Sequence, residues 1–193
     1  MSDYIIKMDL DKINPNPLNK TIYGVNKKQH EELKKSIELV GLLEPLTITK
    51  DNTLVSGHRR LKAIKEIGWE DVDVRLREFD NINIALVELN RTRIKTKSEL
   101  LNEAELLKKE YSKMVKKGRP TNGSTHKGRN WTILNVAESL GTSTTTLKKL
   151  MSIKSYQPEL LEKIDMGLIS VGKAYKIVRE NHILQGKGGR PTT

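Results

Sequence analysis

Residues 54–69 read LVSGHRRLKAIKEIGW, and this stretch decides the fold. Leu61, Ala63, Ile64 and Ile67 recur at helical spacing, which predicts a helix from about His58 to a stop at Gly68. The first turn of any helix has spare backbone N–H groups and the positive end of the helix dipole. Arg59 and Arg60 put more positive charge there, where helix stability alone would favour Asp or Glu. The arrangement makes chemical sense if a phosphate fills the turn. The alternative is a pair of surface arginines matched to Glu66 or Asp71, the usual fate of helix arginines.

The flanking sequence is mixed α/β. YIIKMDLDKINPNP (residues 4–17) predicts a short strand and then a Pro/Asn-rich turn. In Lys27 to Val40, Leu33, Ile37 and Val40 form a helical stripe, and Gly41 closes the helix. PLTITK and TLV predict two strands around a turn at Asp51-Asn52, and VDVRLREF (residues 72–79) predicts a third after the Arg-Arg helix.

After Phe79 the pattern turns helical. Ile82, Ala85, Leu86 and Leu89 predict one apolar face. Lys97 to Lys117 predicts a long amphipathic helix with Ser98 as its N-cap. Residues 118–130, GRPTNGSTHKGRN, hold no apolar anchor and are expected to form a basic linker or loop. Beyond them, Ile133, Val136, Ala137 and Leu140 make one face, Gly141 a turn, and Leu147, Leu150 and Met151 the next face.

A helix, a short Gly-containing turn and a second helix opening with Ser/Thr form a helix-turn-helix signature. The second helix, about Thr144 to Ile153, is the expected recognition helix. Ser143, Thr144, Thr145 and Thr146 would face base edges or phosphates, and Lys148 and Lys149 phosphates. The alternative is a plain helical hairpin whose threonines are caps. Two further helices, Pro158 to Met166 and Ser170 to Glu180, would buttress the pair. Arg119, in the first of two Gly-Arg-Pro segments, and Arg129 complete the candidate DNA-binding set.

Charge separates the halves. The chain of 193 residues carries a net +11, yet residues 1–80 balance to zero and residues 81–193 supply the whole excess. From Tyr111 to Ala137 there are six basic residues and no acidic one, which points to a polyanion such as nucleic acid. With no cysteine, disulfides, thiolate zinc sites and thiol catalysis are excluded. No apolar run approaches the ~20 residues of a membrane span, so no membrane partner is expected. The expectation is a cytoplasmic protein of a prokaryote or of its mobile elements, associated with nucleoid or plasmid DNA.

Three motifs carry a family resemblance. GLLEPLTI (Gly41 to Ile48) is similar to the first motif of the ParB N-terminal family, which shares its fold with sulfiredoxin. GHRRLKA (Gly57 to Ala63) resembles that family's Gly-Glu-Arg-Arg-x-x-Ala phosphate motif, with His58 in place of Glu. ELNRTR (Glu88 to Arg93) resembles its Glu-Asn-x-x-Arg motif, with Asn90 and Arg93 in step and Leu89 where Glu is expected.

The resemblance implies an α+β protein: a small mixed α/β ParB/sulfiredoxin-like N-terminal domain followed by an all-α helix-turn-helix domain. It implies binding of CTP or another nucleoside triphosphate with Mg²⁺, and weak nucleotide hydrolysis as a possible activity. Arg59 and Arg60 would contact phosphates, Gly57 would let the backbone approach, and Ser56 and His58 would border them. Pro45 and Leu46 would line the base pocket, Asn90 and Arg93 would reach the triphosphate, and Glu88 is the nearest carboxylate for Mg²⁺. The implied partners are double-stranded DNA, a nucleotide, a second copy of the chain and a partition ATPase.

The implied role is partition, or transcriptional regulation on a mobile element, with nucleotide switching DNA binding. Two other readings stay open: a nucleotide-dependent serine-type small-molecule kinase on the same fold, and a plain repressor with a vestigial pocket. Sulfiredoxin chemistry lacks its nucleophile, because Gly57 stands where the Cys would be. The expected division is 1–95 nucleotide-binding, 96–117 connecting helix, 118–130 linker, 131–182 DNA-binding and 183–193 basic tail.

Overall fold

The computed structural model describes residues 4–114 and 127–183. The chain divides into two compact units, residues 1–93 and 94–193.

In the first unit, β1 (Tyr4–Asp9) and β2 (Asn14–Pro15) precede α1 (Pro17–Ile22) and α2 (Lys27–Val40). Then come β3 (Leu46–Ile48), β4 (Thr53–Ser56), α3 (His58–Ile67), β5 (Asp71–Leu76) and α4 (Ile82–Glu88). The strands form one mixed sheet in the order β1-β5-β3-β4-β2. β5 runs antiparallel to β1 and parallel to β3, while β4 runs antiparallel to β3 and parallel to β2.

Leu46, Ile48, Leu54, Val72 and Val74 pack with Ile37 of α2 and Leu61, Ala63 and Ile64 of α3, so the two helices share the core with the sheet. The apolar residues that announce α3 in sequence are thus the ones it buries. Gly41 and Gly68 end α2 and α3 at φ 79° and 93°, where a side chain would be strained. The β3–β4 turn forms as expected. Asp51 accepts from the Thr49 and Thr53 hydroxyls, which hold its carboxyl below the ordinary range, and Asn52 takes φ 62°.

One apolar face differs from expectation. On α4 the buried residues are Leu86 and Val87, and Leu89 is exposed. α4 ends at Glu88 and packs against β4, so the pattern that put Leu89 inward ran past the end of the helix.

The second unit is all-helical. It contains α5 (Lys97–Met114), α6 (Lys127–Ser139), α7 (Thr144–Tyr156), α8 (Glu159–Asp165) and α9 (Val171–Val178). Its core joins Leu100 and Leu101 of α5, Leu150 and Ile153 of α7, Leu160, Leu161 and Ile164 of α8, and Ala174 and Val178 of α9. The cap of α5 corrects the expectation of Ser98. Thr96 Oγ1 accepts from Glu99 N at 3.1 Å and Glu99 Oε2 accepts from Thr96 N at 3.1 Å, a reciprocal capping box one turn wide. Ser98 instead gives its backbone N–H to the Asp165 carboxylate at the end of α8, as does Lys97. The fully buried Glu103 pairs with Lys95 at 2.9 Å, so removing either partner would strand a charge in the core.

The linker expectation also shifts. α6 begins at Lys127, inside the stretch expected to be loop. Lys and Arg are good helix formers, and a helix anchored by later turns needs no apolar residue in its first.

Candidate functional site

The turn into α3 is built by close approach. Gly57 is the N-cap of α3 with φ 103° and ψ 17°, and no side chain caps the helix. A Cβ on Gly57 would lie 2.5 Å from Leu46 Cδ2 and 3.4 Å from Arg60 Nε and Nη2. Only glycine fits both the left-handed backbone and that space. Leu46 is fully buried beneath the turn. Pro45 stays half-buried at the head of β3.

Arg60 reaches back across this turn. Its Nη1 donates to the carbonyls of Glu44 at 2.5 Å and Pro45 at 3.2 Å, with the Glu44 carboxylate 3.9 Å away. Burial pulls its guanidinium below the ordinary value; Glu44 opposes the shift and Arg75 adds to it. Among the described residues the carboxylate beside Arg60 is that of Glu44, and neither Glu66 nor Asp71 takes the place that the surface-pair alternative gave it. Arg59 Nη2 donates to Gln29 O of α2 at 2.9 Å.

His58 opens α3 directly after Gly57. Its Nε2 accepts from Asn16 N at 3.2 Å, and burial lowers its pKa from 6.5 to about 4. At neutral pH it is an uncharged acceptor that ties the start of α1 to the start of α3. It adds no positive charge to the site.

The third motif lies on the turn after α4. Asn90 Nδ2 donates to Leu86 O at 2.7 Å, as a helix-end cap would. Arg93 Nη2 donates to Gly24 O at 3.2 Å and its guanidinium lies 4.7 Å from the Tyr23 ring centre. Glu88, at the last turn of α4, has Arg91 at 3.9 Å and is partly exposed. The residues that touch are thus Gly57 and Arg60 with Glu44, Pro45 and Leu46, His58 with Asn16, and Arg93 with Tyr23 and Gly24.

Arg75 lies near enough to Arg60 for its charge to be felt there. On the sheet, Ser56 of β4 stands opposite Thr47 of β3, and Thr47 stands opposite Arg75 of β5. In sequence, Arg75 is merely an outward position of an alternating strand, and nothing local says which strand will adjoin it.

For the DNA candidates, the second unit gives a helix pair joined by Leu140 to Ser143, with Gly141 at φ 61°. Ser143 caps α7 by accepting from Thr146 N at 3.0 Å, and its hydroxyl bonds that of Thr146 at 2.9 Å. Thr145 and Lys148 are exposed on α7, and Thr144 is half-buried. Lys149 Nζ lies 5.9 Å from the Tyr175 ring centre on α9. Arg129 lies in the first turn of α6, and its side chain is outside the described residues; Arg119 falls wholly outside them.

Comparison with known proteins follows the same lines. The sequence profile of the ParB N-terminal domain matches residues 1–91. The probable chromosome-partitioning protein ParB of Rickettsia felis is 24% identical over 94% of this chain and 58% of its own length. That of Helicobacter pylori is 31% identical over 60% of this chain and 44% of its own length. A nucleoid occlusion protein of Oceanobacillus iheyensis is 28% identical over 55% of this chain and 40% of its own. The chain thus spans about half the length of the curated relatives it matches.

Among solved structures, a pNOB8-like ParB N-domain covers 98% of this chain and 81% of its own, with TM-score 0.68 and 18% identity. A C-terminally truncated ParB from Caulobacter crescentus, solved in complex with the centromeric parS site, covers 90% of this chain and 84% of its own, with TM-score 0.56 and 19% identity. These likenesses are of fold.

Proposed function

We propose that this chain is a ParB-like DNA-binding protein whose N-terminal unit takes CTP or another nucleoside triphosphate, a reading supported by the match of the ParB N-terminal domain to residues 1–91. The observation that carries the nucleotide is the turn from Gly57 to Arg60. It is a helix N-terminus with no side-chain cap, no acid in its first turn and a guanidinium folded over it. Such a turn presents backbone N–H groups and positive charge to an anion, and the close approach at Gly57 leaves backbone where a side chain would otherwise stand. By its charge the turn suits an anion and disfavours a cation.

The residues also fit Mg²⁺ held against a phosphate. The ion takes one or two carboxylates and completes its shell with phosphate oxygens and water. Glu88 is partly exposed and lightly paired, so it would hold the ion, which when bound neutralises phosphate charge. Arg60 and the first turn of α3 would bind the phosphates, Arg59 would brace the turn against α2, and Asn90 and Arg93 would close the side toward α4.

DNA binding rests on the second unit. Its excess positive charge, the α6–turn–α7 pair and the exposed Thr145 and Lys148 support a duplex partner read by α7. The parS complex of the Caulobacter relative supports a centromere-like site, and the relatives' names support a role in chromosome partition. A second copy of the chain and a partition ATPase are the further partners this role calls for.

Calorimetry with CTP and with ATP, each with Mg²⁺, tests the nucleotide half. Binding of CTP by the wild type, lost in Arg60→Ala, is the expected result. A wild type that takes neither nucleotide would leave a plain DNA-binding protein with a vestigial pocket.

A further inference from the structure

The two edges of the sheet are finished differently. β2 is two residues long and includes Pro15, which has no N–H to offer a further strand. β1 holds six residues in unbroken register with β5 and contains neither proline nor bulge. Among the described residues its backbone bonds only to β5, so its outer edge meets no other strand. Natural sheets rarely leave a long apolar edge open, because it is a template for another strand.

The side chains along that edge are apolar as well. Tyr4 is 65%, Ile5 57% and Ile6 40% exposed, three in a row on one strand. Tyr4 and Ile6 share the face of Leu76 and Val74, and Val74 is fully buried, so this face continues the inner surface of the sheet. Ile5 lies on the opposite face, across from Arg75. Lys7 bonds Asp71 at 3.1 Å and is exposed enough to reach a second acid. A strand open along its edge and apolar on both faces is what a further strand would cover.

The letters of the strand favour one partner. Residues 3–7 read Asp-Tyr-Ile-Ile-Lys: an acid, three apolar residues and a base. Laid antiparallel on itself about Ile5, this run sets Ile5 opposite Ile5, Tyr4 opposite Ile6 and Lys7 opposite Asp3. Centring on Lys7 would set two lysines opposite each other, and centring on Ile6 would set Asp3 opposite Asp9; like charges so placed destabilise a pair. We infer that β1 is an interface for a second copy of this chain, paired antiparallel about Ile5, so that two five-stranded sheets join into one. The proposed role calls for a second copy without giving it a surface, and this interface needs neither nucleotide nor DNA.

The experiment is sedimentation velocity of the full chain, without nucleotide or DNA, over a range of concentrations. The wild type should form a concentration-dependent dimer. Ile5→Lys, which puts two lysines across the two-fold axis, should weaken it at least tenfold, and Lys7→Glu and Asp3→Lys severalfold each. An equal mixture of Lys7→Glu and Asp3→Lys should recover the dimer, because each copy then meets the opposite charge at both ends. Directly opposite residues of an antiparallel pair lie about 4.5–5.5 Å apart, within disulfide range. The chain has no cysteine, so Ile5→Cys should link to its own copy on mild oxidation, while Leu39→Cys, on an exposed residue of α2, sets the rate of chance collision.

A wild type that sediments as a monomer at its highest soluble concentration overturns the interface. So does a dimer that Ile5→Lys leaves intact, which another surface would hold, and so does an Ile5→Cys that links no faster than Leu39→Cys. Circular dichroism of each variant separates lost pairing from lost fold, and misfolded chains could not recover the dimer on mixing. With neither ligand present, each of these failures leaves the nucleotide and DNA readings where they stand.

Discussion

Two helix starts in this molecule are built in opposite ways. α5 begins closed: Thr96 and Glu99 satisfy each other's backbone, and the Asp165 carboxylate takes the N–H groups of Lys97 and Ser98. α3 begins open: a glycine cap, no acid, two arginines, and Leu61 as the first residue whose N–H enters the helical ladder. An acid at a helix start is worth a few tenths to ~1 kcal/mol, so α3 forgoes stability that α5 takes. The difference separates a start that serves the fold from one left open, the feature on which the proposed anion site rests.

The sharpest way to break this contrast is to put charge into the open turn. Arg60→Glu should abolish triphosphate binding, a loss of a hundredfold or about 3 kcal/mol, measured by calorimetry. The helix dipole favours an acid there, but the carbonyls of Glu44 and Pro45 lose their donor, so thermal melts of the variant should accompany the titration. Retained binding would mean that α3 is open for some other reason.

The next test is pH, and it acts on the histidine that ties α1 to α3. His58 is held neutral in the fold at about 4 against 6.5 when exposed. Its protonation therefore favours the unfolded chain. The stability it protects is intact above pH 6.5 and is lost as pH falls toward 4, on the order of 3 kcal/mol at most. Denaturant titrations of the full chain across that window should show the loss. His58→Gln, which can still accept from Asn16 N and does not titrate, should flatten it. A wild type and variant with parallel pH profiles would show that His58 is not buried neutral.

Opening α5 is the converse of closing α3. Glu99→Ala should cost about 1 kcal/mol and Asp165→Ala a similar amount, seen as a lowered midpoint for the second unit, with nucleotide affinity unchanged. If either variant altered nucleotide affinity, the two helix starts would not be separable.

The smallest effects belong to α7, a third helix start, closed by Ser143 while Thr145 beside it stays exposed. Thr145→Ala should change preference among duplex sequences. Lys148→Ala should weaken all duplexes alike and lower the salt slope by about 1. Indifference of binding to both changes would argue that α7 is an ordinary helix of the bundle.

Most of the first unit could be read from local pattern. The stripe Leu61, Ala63, Ile64 with a glycine at each end defines α3 without help from the rest of the chain, and Gly41 ends α2 in the same way. The capping box of α5 is also present in the letters, as Thr-x-x-Glu from residue 96, two places before the serine that was expected to cap the helix. Leu89 was misplaced because periodicity does not say where a helix stops.

What the sequence by itself determined is what depends on near neighbours: the helices, their glycine ends, the Asp51-Asn52 turn, the arginines at the start of α3 and the charge imbalance between halves. Only the tertiary structure decided which side chains meet over long separations. Leu46 lies under Gly57, Arg60 folds onto Glu44 and Pro45, His58 takes the N–H of Asn16, and Asp165 closes a helix that starts at Lys97. Arg75 is the clearest case. An arginine on an alternating strand carries no local mark of its neighbours, and its place beside Thr47 follows only from β5 running parallel to β3. Strand order is set by burial of both sheet faces and by the crossing helices, and these are properties of the whole fold.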